Sequence, residues 1–305
     1  MAGSRRTPDA YPPDHHPPAP PPSAPPPSAP PPSAPPRSAP RHAPVPNHAA
    51  RHTAPVAWVQ TTSPSFTARH DASEDEDAVG VLELLEGTRE RLGEVFPTLP
   101  EEVAVVLHGS DAELALAQPY LPLLRRLTAP AGRRYLAGWF SRREIHVLTP
   151  RALARRASTV HGSREMLMLT PAAVYAQLVV GHNNPRLPPP FRPGNAYRYV
   201  RWAWLVAGAG QYFSGQIGYA RPAIARRLRD EGPPAFPPAL RDAPLLGGTV
   251  FDLLATEHGI EAAVALALTL PAGGSIAALR HAFVERPLPE TEARWRTHLG
   301  RLAEP

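Results

Sequence analysis

The chain has 305 residues, of which 43 are proline and none is cysteine, and its formal net charge is +5. Without cysteine there are no disulfides and no thiolate metal sites, which excludes zinc fingers and iron–sulfur clusters. All 32 basic residues are arginine; up to Arg69 six arginines face two acids, whereas the rest carries 26 arginines against 25 acids, so a nucleic-acid-binding patch on the folded part is not expected.

The N-terminus, Met1-Ala2-Gly3-Ser4-Arg5-Arg6, leads into prolines and not into an apolar segment of about 7–15 residues, so no signal peptide is expected. No run of about 20 apolar residues occurs, so no membrane-spanning helix is expected, and the expected location is the cytoplasm. From Pro20 the segment Pro-Pro-Pro-Ser-Ala repeats, with Ser23, Ser28, Ser33 and Ser38 in register. Proline fixes φ and donates no N–H, so this run is extended or disordered and buries too little apolar surface to offset ordering entropy. Residues 1–72 therefore read as a disordered Pro/Ala/Ser-rich tail, a spacer or a ligand for proline-binding modules, and residues 73–305 as one folded domain.

The acidic run Glu74–Asp77 suits a helix N-terminus. Val79, Leu82, Leu85, Leu92 and Val95 predict an amphipathic helix closed by Pro97. Val103–Leu107 reads as a strand, followed by a helix near Glu113–Ala117. Arg134–Phe140 and Glu144–Leu148 read as two more strands turning at Ser141, with His146 on a half-buried edge strand. Thr149-Pro150 and Thr170-Pro171 each read as an N-cap followed by proline at the first helical position, opening helices over Arg151–Ala157 and Ala172–Val180. Further helices are predicted over Ala196–Phe213, Pro222–Arg229, Leu246–His258, Ile260–Leu268, Ser275–Phe283 and Glu290–Leu302. The predicted class is α+β, mostly helical: a small N-terminal sheet followed by a helical half.

The stretch Trp204-Leu205-Val206-Ala207-Gly208-Ala209-Gly210-Gln211-Tyr212-Phe213 resembles the second motif helix of the gluzincin metallopeptidases, the thermolysin- and aminopeptidase-like group. There the pattern is Trp-Leu-x-Glu-Gly-x-Ala-x-Tyr-Phe, and the Glu is the third zinc ligand. The helix from Thr170 sits where that family carries His-Glu-x-x-His. Leu246–Leu254, Glu257-His258-Gly259 and Glu292…Trp295…Leu299 are similar to its later helices. The resemblance covers roughly 100–302 and implies a zincin-like fold.

Two histidines four apart on one helix face bind a single zinc ion, a carboxylate from a second helix completes the protein ligands, and the Glu beside the first His activates water. Here the aligned positions are Ala173, Val174 and Gln177, with Ala207 at the third ligand. A shift by two gives Tyr175, Ala176 and Val179. Neither frame supplies a histidine or a carboxylate, so the resemblance implies a pseudopeptidase with no metal, no cofactor and no catalytic residue. Tyr175, Gln177, His182, Gln211 and Tyr212 are the candidate lining of a cleft that binds a peptide or protein partner. The other readings are an active hydrolase with a rearranged site, drawing zinc-binding histidines from His161, His182 or the strands, and a scaffold acting through the tail; Ser163, Ser214, His182 and Asp252 are present for a serine route, but no Gly-x-Ser-x-Gly elbow presents a serine. Tyr197, Tyr199, Trp202 and Trp204, interleaved with Arg198 and Arg201, read as core packing edged by arginine stems.

Overall fold

A computed structural model describes residues 58–141, 143–184, 186–187 and 196–304. The proline repeat, and the disorder expected of it, lie outside the described residues. The first element is a strand, β1 (Trp58–Thr62), which turns back antiparallel into β2 (Phe66–Asp71). Both strands fall inside the span read as tail, so the folded domain begins by Trp58 and not near residue 73. The alternation is present but short. Phe66, Ala68 and His70 are buried, while Thr67 and Arg69 between them are not. Two of these three inward residues are alanine and histidine, which carry almost no local strand signal; pairing with a distant strand makes them a strand.

That partner is β3 (Val103–His108), parallel to β2 and reached through α1 (Asp75–Gly93). The sheet continues through β5 (Glu144–Leu148), parallel to β3, and ends at β4 (Gly138–Phe140), antiparallel to β5. The order is β1-β2-β3-β5-β4, so β5, with His146, is interior and not an edge. The strand expected from Arg134 starts only at Gly138, because the short helix α4 (Pro130–Arg133) occupies the approach to it.

Helix α1 buries Ala78, Val81, Leu82, Leu85, Thr88 and Leu92, a stripe at i, i+3, i+4 and i+7. Val79, expected on that stripe, is 42% exposed; Ala78 takes the inward position instead. Glu86 of α1 accepts from Ser63 Oγ (2.6 Å) and Ser65 N (2.7 Å), which ties the β1–β2 turn to the helix. Between β3 and β4 lie α2 (Asp111–Ala117), α3 (Leu121–Leu127) and α4; after β5 come α5 (Pro150–Arg156) and α6 (Ser163–Met168). Ser110 caps α2: its Oγ accepts from Glu113 N, while the Glu113 carboxylate accepts from Ser110 Oγ and Gly109 N.

The second half is helical: α7 (Thr170–Asn183), α8 (Ala196–Phe213), α9 (Ile217–Glu231), α10 (Ala243–His258), α11 (Ile260–Leu268), α12 (Ser275–Ala282) and α13 (Leu288–Ala303). The architecture is thus α+β and mostly helical, with a small mixed sheet. Helix α7 is buried almost all round, wedged between α1, β4, β5 and α8. Backbone approach sets the α8–α10 contact. A Cβ on Gly208 would stand 2.5 Å from the Gly247 carbonyl carbon, and one on Gly247 would stand 2.5 Å from the Trp204 oxygen. Trp202 and Trp204 are buried as expected and so is Tyr199, whereas Tyr197 is 75% exposed. Arg227 on α9 pairs with Asp242 ahead of α10 through two bonds of 2.7 and 2.9 Å, both side chains being buried. Among the described residues no helix is long and apolar enough to cross a membrane.

Candidate functional site at the α7–α8 crossing

The apolar sequence of α7 leaves it little solvent face before its last turn, so its side chains are distributed among its neighbours by helical angle. At about 100° per residue, positions 173, 174 and 177 share one side while 175 and 182 turn to the other. The side bearing 173 meets α8. Gly210 makes this possible: a Cβ there would lie 2.6–2.8 Å from the Gln177 amide and the Ala173 carbonyl.

Ala173, Val174 and Gln177 of α7 and Ala207 and Gln211 of α8 line one cavity of about 40 Å³, together with residues from β4 and from the loops flanking α4 and α9. That volume exceeds the roughly 10–15 Å³ a water needs. Its polar lining is amide, hydroxyl and phenol: Thr170, Gln177, Gln211, Gln216, Tyr135 and Tyr199. No histidine, aspartate or glutamate is in the lining. Zinc takes imidazole, thiolate or carboxylate, so these residues do not fit it.

Several polar atoms of the lining are already engaged. Gln211 Oε1 accepts from Gly248 N at 2.7 Å, and Gln216 Nε2 donates to the Met166 carbonyl at 2.7 Å. Gln211 thereby links α8 to α10, where Gly248 leaves room for it. Thr170 Oγ1 is buried without a hydrogen-bond partner among the described residues. The helix cap falls at Leu169, so Thr170 is not the N-cap expected from the sequence; it stands in the first turn. Burial raises the pKa of both the Tyr135 and the Tyr199 phenol, and for Tyr135 a bond to Ser163 and the Arg134 charge oppose the rise.

The other candidate positions lie elsewhere. Tyr175 is fully buried on the opposite face of α7; its hydroxyl accepts from Arg89 Nη1 at 3.0 Å and its ring meets Phe66 edge-on at 5.0 Å. Ala176 and Val179, of the shifted frame, are buried and line no part of the cavity. His182 is exposed and lines a separate groove of about 730 Å³, with Thr98, Glu101, Phe140 and Arg143. Tyr212, one residue and about 100° from Gln211, stacks against Phe251. Tyr175, His182 and Tyr212 are therefore not lining residues of this cavity. Tyr135, Thr170, Tyr199 and Gln216 are, and no sequence pattern joins them, because they arrive from four separate segments.

A second grouping of titratable side chains stands on the sheet. His108 of β3 and His146 of β5 stack with centroids 5.4 Å apart, and His108 Nε2 lies 3.1 Å from His146 Nδ1. His146 Nε2 lies 3.2 Å from Glu144 Oε2. Burial and the His146 charge push His108 down to about 4. Among the described residues no group of three or more histidines and acids is placed to hold a metal ion. No protein-family model matches the chain, and no curated protein matches it.

Proposed function

We propose that the domain is a non-catalytic, metallopeptidase-like protein that binds a peptide or protein. The observation that carries this reading is the grouping of Ala173, Val174, Gln177 and Ala207 on one cavity. These are the four positions at which the gluzincin resemblance requires two histidines and two glutamates, and they arrive from two different helices, α7 and α8. The side chains found there offer no ligand to zinc and no general base. A cavity of about 40 Å³ admits water but no peptide side chain of ordinary size, so a partner is held outside it, by groups around it. Gln177 is half-buried and makes no hydrogen bond among the described residues, so its amide is an unengaged polar group of the lining.

Elemental analysis of protein purified without a metal-binding tag tests the reading. Far less than one zinc per chain is expected; stoichiometric zinc, removable by a chelator with loss of thermal stability, overturns it. The constructive counterpart is the quadruple variant Ala173→His, Val174→Glu, Gln177→His, Ala207→Glu, which is expected to acquire zinc binding. A folded quadruple variant that takes up no zinc means that the four positions are not those of a peptidase ancestor.

A further inference from the structure

Beside the α7–α8 cavity lies a cleft of about 520 Å³ between α4, the loop after α5, and α9, within the roughly 300–1,000 Å³ of small-ligand sites. Tyr135 lines both spaces. Three guanidinium groups border the cleft, those of Arg134, Arg226 and Arg241. Arg226 pairs with Asp230 at 3.2 Å and Arg241 pairs with Glu231, so the two acids of the cleft are taken. Arg134 is half-buried, and its side chain makes no ion pair or hydrogen bond among the described residues.

The surroundings of Arg134 add to its charge. Arg156 donates to the Arg134 carbonyl, and Arg156 and Arg125 share a single carboxylate, Asp111, at 2.6 and 2.8 Å. Burial lowers the pKa of the Arg156 guanidinium; Asp111 opposes this, and the Arg134 charge adds to the lowering. A partly desolvated cation beside other cations, with no counter-charge of its own, is relieved when an anion arrives. The planar guanidinium fork matches carboxylate and phosphate oxygens in pairs.

We propose that this cleft is an oxyanion-binding site in which Arg134 is the principal contact and Arg226 and Arg241 border the bound group. The ligand carries a carboxylate, as a peptide C-terminus does, or a phosphate. The site does not depend on the peptidase-like reading, which zinc content tests separately.

Calorimetric titration of the full chain at low salt uses three probes: inorganic phosphate, an N-acetylated dipeptide acid, and the C-terminal amide of that dipeptide. Phosphate or the dipeptide acid is expected to bind, and the amide is not. Whichever of the two binds more tightly identifies the source of the oxyanion. Arg134→Gln is expected to weaken that binding about tenfold or more, the scale of one lost charge-assisted hydrogen bond. Arg134→Lys keeps the charge without the fork and is expected to fall between. Arg301→Gln, an equal charge loss in the exposed last turn of α13, is expected to leave binding unchanged. Circular dichroism of Arg134→Gln should match the parent, since the side chain holds nothing in place. If neither anion binds at millimolar concentration, if the amide binds as well as the acid, or if Arg134→Gln binds like the parent, the assignment is wrong.

Discussion

The α7–α8 crossing and the histidine pair on the sheet are opposite solutions to packing polar groups inside one domain. At the crossing the backbones come close, the side chains are small or amide-bearing, and nothing lining the cavity carries a carboxylate or an imidazole. On the sheet, β3 and β5 bring two imidazoles into contact and set a carboxylate 3.2 Å from the second. The place where a peptidase resemblance demands charge is neutral, and a titrating group with a large shift sits where that resemblance asks for none. A perturbed histidine by itself therefore marks a buried pair in a sheet as readily as a catalytic centre. The two regions should respond to different perturbations: the crossing to added volume, the sheet to added protons.

The largest expected effect is at the crossing. Gly208→Ala places a methyl group 2.5 Å from the α10 backbone, where no flexible side chain can yield. A loss of about 3 kcal/mol or more is expected in chemical denaturation, the upper end of overpacking costs. Gly80→Ala on the exposed face of α1, where a Cβ meets nothing within 4 Å, is expected to stabilise by about 0.5–1 kcal/mol. If Gly208→Ala proves as benign as Gly80→Ala, the close α8–α10 approach is not what defines the crossing.

Next in size is the acid response of the sheet. The His108 pKa in the fold is about 4, against an ordinary value of 6.5. The unfolded chain therefore binds the proton first, and stability present above pH 6.5 is lost progressively as the pH falls towards 4. Melting temperature measured across this range should fall more steeply for the parent than for His108→Phe, which cannot titrate. Parallel curves for the two proteins would place the acid sensitivity elsewhere. The carboxylate responses come at lower pH: bonds from Ser63 and Ser65 outweigh burial and hold Glu86 below the usual carboxylate value.

What the sequence announced, and what it withheld, follows the same division between local and distant causes. Helix α8 runs from Ala196 to Phe213 and α11 from Ile260 to Leu268, at the bounds expected, because a long periodic apolar pattern is a local signal. Strands β3 and β5 declared themselves through β-branched apolar runs. Helices α3, α4 and α6 are not expected from the sequence; unlike α2 and α5, of seven residues each, none of them opens on a side-chain cap. The first two strands read as tail in the sequence because β1 pairs with β2, and β2 takes its other partner from β3, more than 30 residues on. At the site, Ala173, Val174, Gln177 and Ala207 follow from the motif alignment and Gln211 from its amide, and all five share the cavity. Tyr175, His182 and Tyr212, expected with them in the cleft, are turned elsewhere by helical angle.

The smallest expected effect asks whether the cavity holds anything. Thr170→Val keeps the shape of the side chain and removes a buried hydroxyl that has no protein partner. A hydroxyl buried without any bond costs roughly 1–3 kcal/mol, so its removal is expected to raise stability by up to about 1 kcal/mol after the valine methyl repacks. A loss of comparable size would mean that Thr170 Oγ1 bonds water inside the cavity, making the α7–α8 crossing a hydrated polar site and not merely a neutral gap left between two helices. Denaturation measured beside Gln177→Leu, which removes the amide facing the same space, separates the two outcomes. Both substitutions stabilise if the cavity is dry, and both destabilise if they share a bound water.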